Sequence, residues 1–277
     1  MADRIGIDLI SVLGMSPVDY VALAAGLGCT HITLAPKPVV SVPELYPQWN
    51  FHDDPALLRD TVAALSDHGI AVAGGEGFFI VPGRDVAGNA ADLDILAELG
   101  AGAVTACAFE PDQARAFDQL AVLAGLAGER GMGTNIEFVP SLAIGDLPTA
   151  LAAVNHVGRP DFGLVVDAMH IFRSGATAAD VAALDPAVIG HIQLCDVPLA
   201  VAAEGYGYEA SFERRCPGEG ELPLADLVAA LPGDRVIGLE IPMKARALAG
   251  EGPADRLRPC VAAARNLLAQ ARSAAEA

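Results

Sequence analysis

The clearest indication of the fold comes from Gly163-Leu164-Val165-Val166-Asp167-Ala168-Met169-His170. Its apolar run shows no alternation with polar residues, which is typical of a parallel strand buried on both faces. The run ends at Asp167, where a carboxylate is costly to bury unless another group pairs with it. Three more apolar runs end in the same way, at Glu137, Gln193 and Glu240. The stretch therefore predicts one strand of a parallel sheet whose carboxyl edge carries polar side chains.

One order of elements repeats along the 277 residues: an apolar run, a polar or Gly/Pro break, an Ala/Leu-rich stretch and a glycine. Strands that alternate with helices form parallel sheets. Strands are predicted at residues 4–10, 31–35, 70–73, 103–108, 133–138, 162–167, 188–194 and 235–241. Helices are predicted at residues 16–27, 53–67, 85–99, 111–130, 147–156, 177–184, 224–231 and 254–275. The fold class is therefore α/β, with residues 1–277 forming a single (β/α)8 TIM barrel.

An open doubly wound sheet is the alternative fold, and such sheets commonly bind nucleotides through glycine-rich phosphate loops. The glycine-rich stretch here, Gly74-Gly75-Glu76-Gly77, does not match the GxGxxG pattern, and the sequence contains no GxxxxGK motif. The barrel is therefore the favoured fold.

A long active-site loop is predicted at residues 195–222, after the seventh strand. Its Tyr206, Tyr208 and Phe212 are not needed for a core, and we expect them to close the barrel mouth as a lid. The same loop contains Arg214-Arg215-Cys216-Pro217-Gly218-Glu219-Gly220, whose Pro-Gly pair indicates a tight turn. Arg214 is a candidate for binding an anionic or polyhydroxylated substrate, and a solvated basic pair is an equal alternative.

Composition narrows the classes of protein to which the chain can belong. Apolar residues make up 53% and charged residues 19%, so a large core can form. The formal net charge of -18 and the lack of a basic face oppose binding to nucleic acid or to a membrane surface. No apolar run reaches the length of a membrane span, and no signal peptide is visible. The five scattered cysteines predict reduced thiols and a cytoplasmic location.

Polar residues at the ends of the predicted strands are the candidates for chemistry, because active sites of barrels lie at that end. They are Asp8, Glu76, Glu137, Asp167, His170, Gln193, Asp196 and Glu240. Strands five to eight are neighbours in a barrel, so their polar tips can reach one metal ion. The predicted ligands are Glu137, Asp167, Gln193 and Glu240. Three carboxylates and one amide oxygen form a hard set that favours Mn²⁺ or Mg²⁺, with Co²⁺ and Zn²⁺ as alternatives.

Each of these acids also has a purely structural interpretation, as a helix cap or as the partner of an arginine. A structural role for all of them is less favoured, because four polar residues end four consecutive strands. His170, three residues beyond Asp167, is either structural or placed to hydrogen-bond a substrate hydroxyl or oxyanion. His191 faces the same side of its strand as Gln193, one layer deeper, and is interpreted as part of the core or as support for the site.

These motifs together resemble the xylose isomerase-like TIM-barrel superfamily, and within it the sugar phosphate isomerase/epimerase family. The matching segments are Ile136-Glu137, Asp167-Ala168-Met169-His170, His191-Ile192-Gln193-Leu194-Cys195-Asp196, Arg214 to Gly220, and Leu239-Glu240-Ile241-Pro242. Members include ketose 3-epimerases, hydroxypyruvate isomerase, inosose dehydratase and 3-dehydroshikimate dehydratase. The sequence differs from those of the epimerases in two features. The epimerases usually carry His at the position of Gln193, and their loop before the position of Arg214 is shorter.

The resemblance implies roles for the same residues. Glu137, Asp167, Gln193 and Glu240 would be the metal ligands, and His170 and Arg214 would contact the substrate. Glu137 and Glu240 would also be the catalytic residues that face the reacting carbons.

The predicted function is that of a divalent-metal-dependent isomerase or epimerase of a small hydroxy-carbonyl or sugar substrate. It would act by proton abstraction next to a carbonyl, with a metal-stabilised enediolate. A dehydratase or lyase of the same superfamily shares this first step and is the alternative. An abasic-site endonuclease, which needs more histidines at the strand tips, and a barrel without catalysis are less favoured. The expected partners are a small-molecule substrate and further copies of the chain, as a dimer or tetramer.

Overall fold

The computed structural model describes residues 4–275, which form a closed barrel of eight parallel strands. The strands follow one another around the barrel in chain order, and β8 closes on β1. In order, β1 to β8 span Ile5–Ile7, His31–Leu34, Ala71–Ile80, Ala103–Ala108, Gly133–Ile136, Phe162–Asp167, Ile189–Leu194 and Ile237–Leu239. The predicted TIM barrel is confirmed, and the doubly wound alternative is wrong because β1 and β8 pair.

Helices follow the strands and cover the outside of the barrel. Across residues 4–275, α1 to α11 span Pro17–Gly26, Pro55–His68, Ala90–Glu98, Gln113–Gly128, Leu147–Val157, Ala168–Arg173, Ala178–Ala182, Tyr206–Phe212, Leu224–Ala230, Lys244–Leu248 and Pro253–Ala275. No helix in this part of the chain is long and apolar enough to cross a membrane. Aliphatic side chains of the strands and of the inner helix faces merge into one buried cluster between the two layers.

The helix boundaries follow from capping residues that the sequence supplies. Asp54 accepts a hydrogen bond from the backbone N–H of Leu57 and begins α2, with Pro55 at the first helical position. The same helix ends at Gly69, whose φ of 65° lies in the left-handed region that glycine adopts without strain. These signals explain why the predicted and observed bounds of α2 agree to within two residues.

The strand β3 is longer than predicted, because the prediction ended it at residue 73, before Gly74 to Gly77. These residues lie inside β3, and the pairing with β4 shifts register between Gly75 and Phe78. Such an irregularity is a β-bulge, which glycine tolerates and which redirects the neighbouring side chains. Glu76 lies within the bulge and is 9% exposed. The bulge therefore places a carboxylate inside the barrel that a loop would have left outside.

Other predicted boundaries of strands and helices also differ from those in the structure. The strand β1 ends early because Ser11 joins the chain to the end of β8, donating to the carbonyl of Leu239 and accepting from the N–H of Ile241, both at 2.7 Å. A 3-10 turn, Leu9–Val12, therefore replaces the end of the predicted strand. Among the described residues, three helices, α6, α8 and α10, lie where no helix was predicted, and α8 forms within the long loop.

Candidate active site

The four predicted ligands lie at the carboxyl ends of neighbouring strands. Glu137 directly follows β5, Asp167 ends β6, Gln193 lies near the end of β7, and Glu240 directly follows β8. In the strand register, Asp167 is paired with Gln193, and Gln193 with Gly238. Asp167, Gln193 and Glu240 are at most 4% exposed, and Glu137 is partly buried.

Arg214 joins two of these carboxylates. Its two terminal nitrogens lie 2.5 Å from Oδ2 of Asp167 and 2.6 Å from Oε2 of Glu240. Its Nε donates to the carbonyl of Ala210 in α8. This helix contains the aromatic residues that were predicted to form a lid and is called the lid helix below. The lid helix therefore helps to orient the guanidinium. Arginine presents its donors in a planar fork, and here the fork is shared between two acids. Sequence reasoning gave Arg214 a substrate contact and did not foresee this bridge, since it depends on how the long loop folds back.

Gln193 carries a buried acceptor without a partner. Its Nε2 donates to Oε1 of Glu240 at 2.8 Å, and its Oε1 has no hydrogen-bond partner within the described part of the chain. A buried carbonyl oxygen without a donor is costly, because the oxygen loses its hydrogen bonds to water. An amide oxygen that binds a cation would likewise be buried without a hydrogen-bond donor, so Gln193 fits the predicted ligand set.

His170 connects Glu137, Asp167 and the lid. Its Nε2 lies 3.3 Å from Oε1 of Glu137, and its backbone N–H donates to Oδ1 of Asp167 at 2.8 Å. Asp167 therefore also caps α6, as the structural interpretation expected. On the other edge of the ring, Nδ1 lies 2.5 Å from the hydroxyl of Tyr206 in α8. Carboxylate and imidazole ligand atoms of Glu137, Asp167 and His170 all lie within 4.8 Å of one another.

A second acidic group, formed by Asp8, Glu76 and Glu240, lies inside the barrel. Their oxygen atoms also lie within 4.8 Å of one another. Asp8 pairs with Nε2 of His191 at 3.0 Å, and Glu76 accepts from the hydroxyl of Thr33. The expectation that His191 supports the site from a deeper layer agrees with this contact.

Sequence reasoning counted Asp8 and Glu76 among the strand-end acids and gave them no role. The signal that could have found Glu76 was its place among three glycines, which permit a bulge. Space for Asp8 comes from Gly238, where a Cβ atom would lie 2.0 Å from Oδ1 of Asp8. Cys107 was also missed, and its Sγ donates to Oε2 of Glu137 at 3.2 Å.

The pKa values of the buried carboxyl groups are shifted in opposite directions. Burial raises the pKa of Glu240 well above its usual range, and nearby carboxylates add to this against the opposing charge of Arg214. Burial also acts to raise the pKa of Asp167, but Arg214 and His170 outweigh it and lower that pKa. Burial and the charge of Asp8 raise the pKa of Glu76 to about 8, although the hydrogen bond from Thr33 opposes the shift.

Several carboxylates share the single guanidinium of Arg214 at this site, so a hard divalent cation fits the donor set chemically.

Both acidic groups border one cavity of about 280 Å³ at the barrel mouth. Its polar floor is formed by Glu76, Glu137, His170, Gln193, Arg214 and Glu240. Its walls include residues of the loops after several strands and of the lid helix α8. Asp167 is not part of the cavity lining and contacts two residues that are, Arg214 and His170. The predicted site residues therefore form one connected network beneath a single opening.

The fold and this network define a (β/α)8 barrel with an acidic site at the carboxyl ends of its strands. The chain belongs to the xylose isomerase-like TIM barrel family, whose model matches residues 21–260. The resemblance drawn from the sequence motifs is thereby confirmed. A comparison with curated protein sequences gives no match.

Solved structures of low sequence identity share the fold over nearly the whole chain. The IolI protein with a bound zinc atom is 17% identical, with a TM-score of 0.79 over 97% of this chain and 99% of that one. L-ribulose 3-epimerase is 16% identical, with a TM-score of 0.74 over 99% and 97%. The probable 3-DHS dehydratase AsbF from Bacillus anthracis is 17% identical, with a TM-score of 0.71 over 94% and 98%. These structures share the fold of this chain, and two of them are described as an epimerase and a probable dehydratase.

Proposed function

We propose that the protein is a divalent-metal-dependent isomerase or epimerase of a small hydroxy-carbonyl compound. The observation that carries the proposal is that Glu137 and Glu240, from opposite ends of the β5–β8 arc, line one cavity together with the unpartnered amide oxygen of Gln193. Two carboxylates beside one substrate can take a proton from a carbon and return it.

The residues that would hold the ion are Glu137, Asp167, Gln193 and Glu240. Mn²⁺ and Mg²⁺ are the favoured ions because the donors are mainly carboxylate oxygens. Co²⁺ and Zn²⁺ stay as alternatives, and the zinc atom of the IolI structure supports including zinc. When bound, such an ion polarises the carbonyl and hydroxyl oxygens of a substrate and makes the adjacent C–H more acidic.

The side chains of the cavity would move the proton and hold the substrate. One glutamate, Glu137 or Glu240, removes the proton next to the carbonyl, and the same or the opposite glutamate returns it. Return to the neighbouring carbon is isomerisation, and return to the other face of the same carbon is epimerisation. His170 would hydrogen-bond a substrate oxygen through Nε2 while Tyr206 fixes the orientation of its ring. Arg214 would keep Asp167 and Glu240 in place and contact the substrate through the part of its side chain that lines the cavity.

A dehydratase is the second candidate, and Glu76 favours it. Elimination of a β-hydroxyl needs a group that can donate a proton to the leaving oxygen. Glu76 lines the cavity, and its pKa of about 8 keeps it protonated at neutral pH. The likeness to AsbF is consistent with this outcome. Both candidates share the abstraction of the first proton.

The test is incubation of the Mn²⁺-loaded protein in D₂O with a panel of α-hydroxy ketones and ketoses, followed by NMR and mass spectrometry. Deuterium on the carbon next to the carbonyl, with the formula otherwise unchanged, supports the isomerase or epimerase. Loss of water supports the dehydratase. Glu137→Gln and Glu240→Gln should each lower exchange at least a thousandfold, because removal of a catalytic base costs a large part of the rate.

Glu110→Gln is the matched control, since Glu110 is equally buried but pairs with Arg115 outside the cavity. Exchange that survives in both active-site variants, with all three variants folded, would overturn the assigned roles.

A further inference from the structure

We propose that the substrate has a polar hydroxy-ketone end and an apolar end, a hydrocarbon chain or ring, and is neither a free nor a phosphorylated sugar. The proposal rests on the proposed function, because it places the reacting carbons at the acidic floor of the cavity. The observation that supports it is that polar side chains form the floor of the cavity, whereas apolar side chains surround its mouth.

The mouth of the cavity is apolar on several sides. Phe79 lies near the carboxyl end of β3, three residues beyond Glu76, and Phe109 directly follows β4. Their rings contact edge to face with centroids 5.5 Å apart, although they are 39% and 50% exposed. Val39 and Leu142, from the loops after β2 and β5, add aliphatic surface to the same cavity. Two large rings left in contact at a cavity mouth form a surface that gains stability when a ligand covers it.

The walls offer few partners for a polyhydroxylated chain. Apart from the floor, the described side chains with hydroxyl groups along the cavity are Thr105, Ser141 and Ser211. A ketohexose would bring several hydroxyl groups into contact with Phe79, Phe109 and their aliphatic neighbours. Each hydroxyl that loses water without gaining a partner weakens binding. A hydrocarbon substituent loses nothing in the same position and gains from burial.

The cavity also lacks a free cation for a phosphate. Among the described residues that line it, Arg214 is the single Lys or Arg, and its terminal nitrogens already contact Asp167 and Glu240. A phosphate or second carboxylate would meet the acidic floor without a compensating charge.

The loop after β7, where many barrels bind phosphate, is satisfied from within the chain. The carboxylate of Asp196 accepts hydrogen bonds from the backbone N–H groups of Val197, Gly218 and Leu222 at 2.9, 2.9 and 3.1 Å. Gly220 packs against it so closely that a Cβ atom would lie 2.2 Å from its Oδ1. An internal carboxylate thus occupies the donors that an anionic ligand would use, which argues against a phosphorylated substrate.

The test compares hydroxymethyl ketones that share one reacting end. 1-Hydroxy-4-phenylbutan-2-one carries an apolar tail, a panel of 2-ketohexoses and their phosphates carries polar tails, and dihydroxyacetone has almost no tail. The readouts are kcat/KM for deuterium exchange with Mn²⁺ present, and affinity by calorimetry. We expect the phenyl ketone to exceed every ketohexose at least tenfold in both, because each buried methylene group is worth about fourfold in affinity.

Variants locate the preference. Phe79→Ser and Phe109→Ser should each lower kcat/KM for the phenyl ketone at least fivefold more than they lower that for dihydroxyacetone. Leu199→Ser is the matched control, because Leu199 is 59% exposed and is not part of the cavity lining. It should change neither value.

The outcomes separate this proposal from the proposed function. Exchange that is equal or faster with ketohexoses would overturn the apolar tail and leave proton abstraction intact. If no compound exchanges, the proposed function is wrong, and calorimetry still decides the tail. Tighter binding of the phenyl ketone, weakened by Phe109→Ser, would support the apolar end, and tighter binding of a ketohexose or its phosphate would overturn it.

Discussion

Arg214 holds two buried carboxylates together by a single guanidinium. Asp167 and Glu240 come from strands that are two apart in the barrel, and each lies within 2.6 Å of a terminal nitrogen of Arg214. Without a cation between them, both acids would lose their nearest positive charge in a buried position. A partner removed from a buried ion pair leaves an uncompensated charge, which costs far more than the pair contributes.

Arg214→Met should therefore lower the free energy of unfolding of the metal-free protein by about 3–5 kcal/mol at pH 8, measured by urea denaturation. Arg130→Met is the control, because Arg130 pairs with Asp94, whose side chain is 67% exposed, and should lose far less. Added Mn²⁺ should restore part of the loss in Arg214→Met. Equal losses in the two variants would contradict the bridging role.

Glu76 makes the stability of the protein depend on pH. Its pKa is about 8 in the folded chain against an ordinary value of 4.5, so between these values the folded state holds a proton that the unfolded state has released. The contribution of Glu76 is therefore fully present below about pH 4.5 and is lost as the pH rises through about 8.

Glu76→Gln keeps a neutral side chain of the same shape and should flatten the fall in the free energy of unfolding between pH 5 and pH 8. Urea denaturation at four pH values, with EDTA present, measures the slope. Glu110→Gln should keep the slope of the parent protein. If Glu76→Gln keeps it as well, burial of a protonated Glu76 is wrong.

The lid helix α8 is the element that connects the long loop to the site. Glu209 of α8 lies 3.1 Å from Arg173 of α6, and both side chains are at most 5% exposed. The carbonyl of Ala210 accepts from Arg214, and Tyr206 contacts His170. The contacts of α8 therefore tie the long loop to Arg214 and to His170.

Tyr206→Phe keeps the ring of the lid residue and removes its hydroxyl. Since that hydroxyl fixes the imidazole of His170, we expect kcat for deuterium exchange to fall about tenfold, KM to change little and the pH profile to shift. Tyr208→Phe is the control, because Tyr208 packs against Phe212 and Lys244. If Tyr208→Phe loses as much kcat, the effect belongs to the lid in general and the role of Tyr206 is wrong.

At the scale of the whole molecule, the sequence predicts the barrel because apolar runs, capping residues and terminal glycines recur in one order. The strand-end acids are also predictable, since parallel strands bring their carboxyl ends to the same mouth. Asp167 and Gln193, for example, are register partners in neighbouring strands. Local patterns of this kind are sufficient wherever the position of a residue follows from its own strand.

Local sequence patterns do not predict the contacts that loops and irregular strands make. Arg214 reaches Asp167 only because the long loop folds back over the barrel, and no local signal records that path. The helix α8 lacks a capping side chain, which explains why its start was not predicted. Glu76 enters the barrel through a change of register, which is a property of two paired strands. The shifts in pKa depend in turn on these placements.

A crystal soaked with Mn²⁺ and recorded at the manganese absorption edge will reveal whether the tips of β5, β6, β7 and β8 hold one catalytic cation. We expect one anomalous peak within coordination distance of Glu137, Asp167, Glu240 and Oε1 of Gln193, and its loss in Gln193→Leu. A peak beside Asp8 and Glu76 alone, or no peak at saturating Mn²⁺, would rule out a cation held by these four residues.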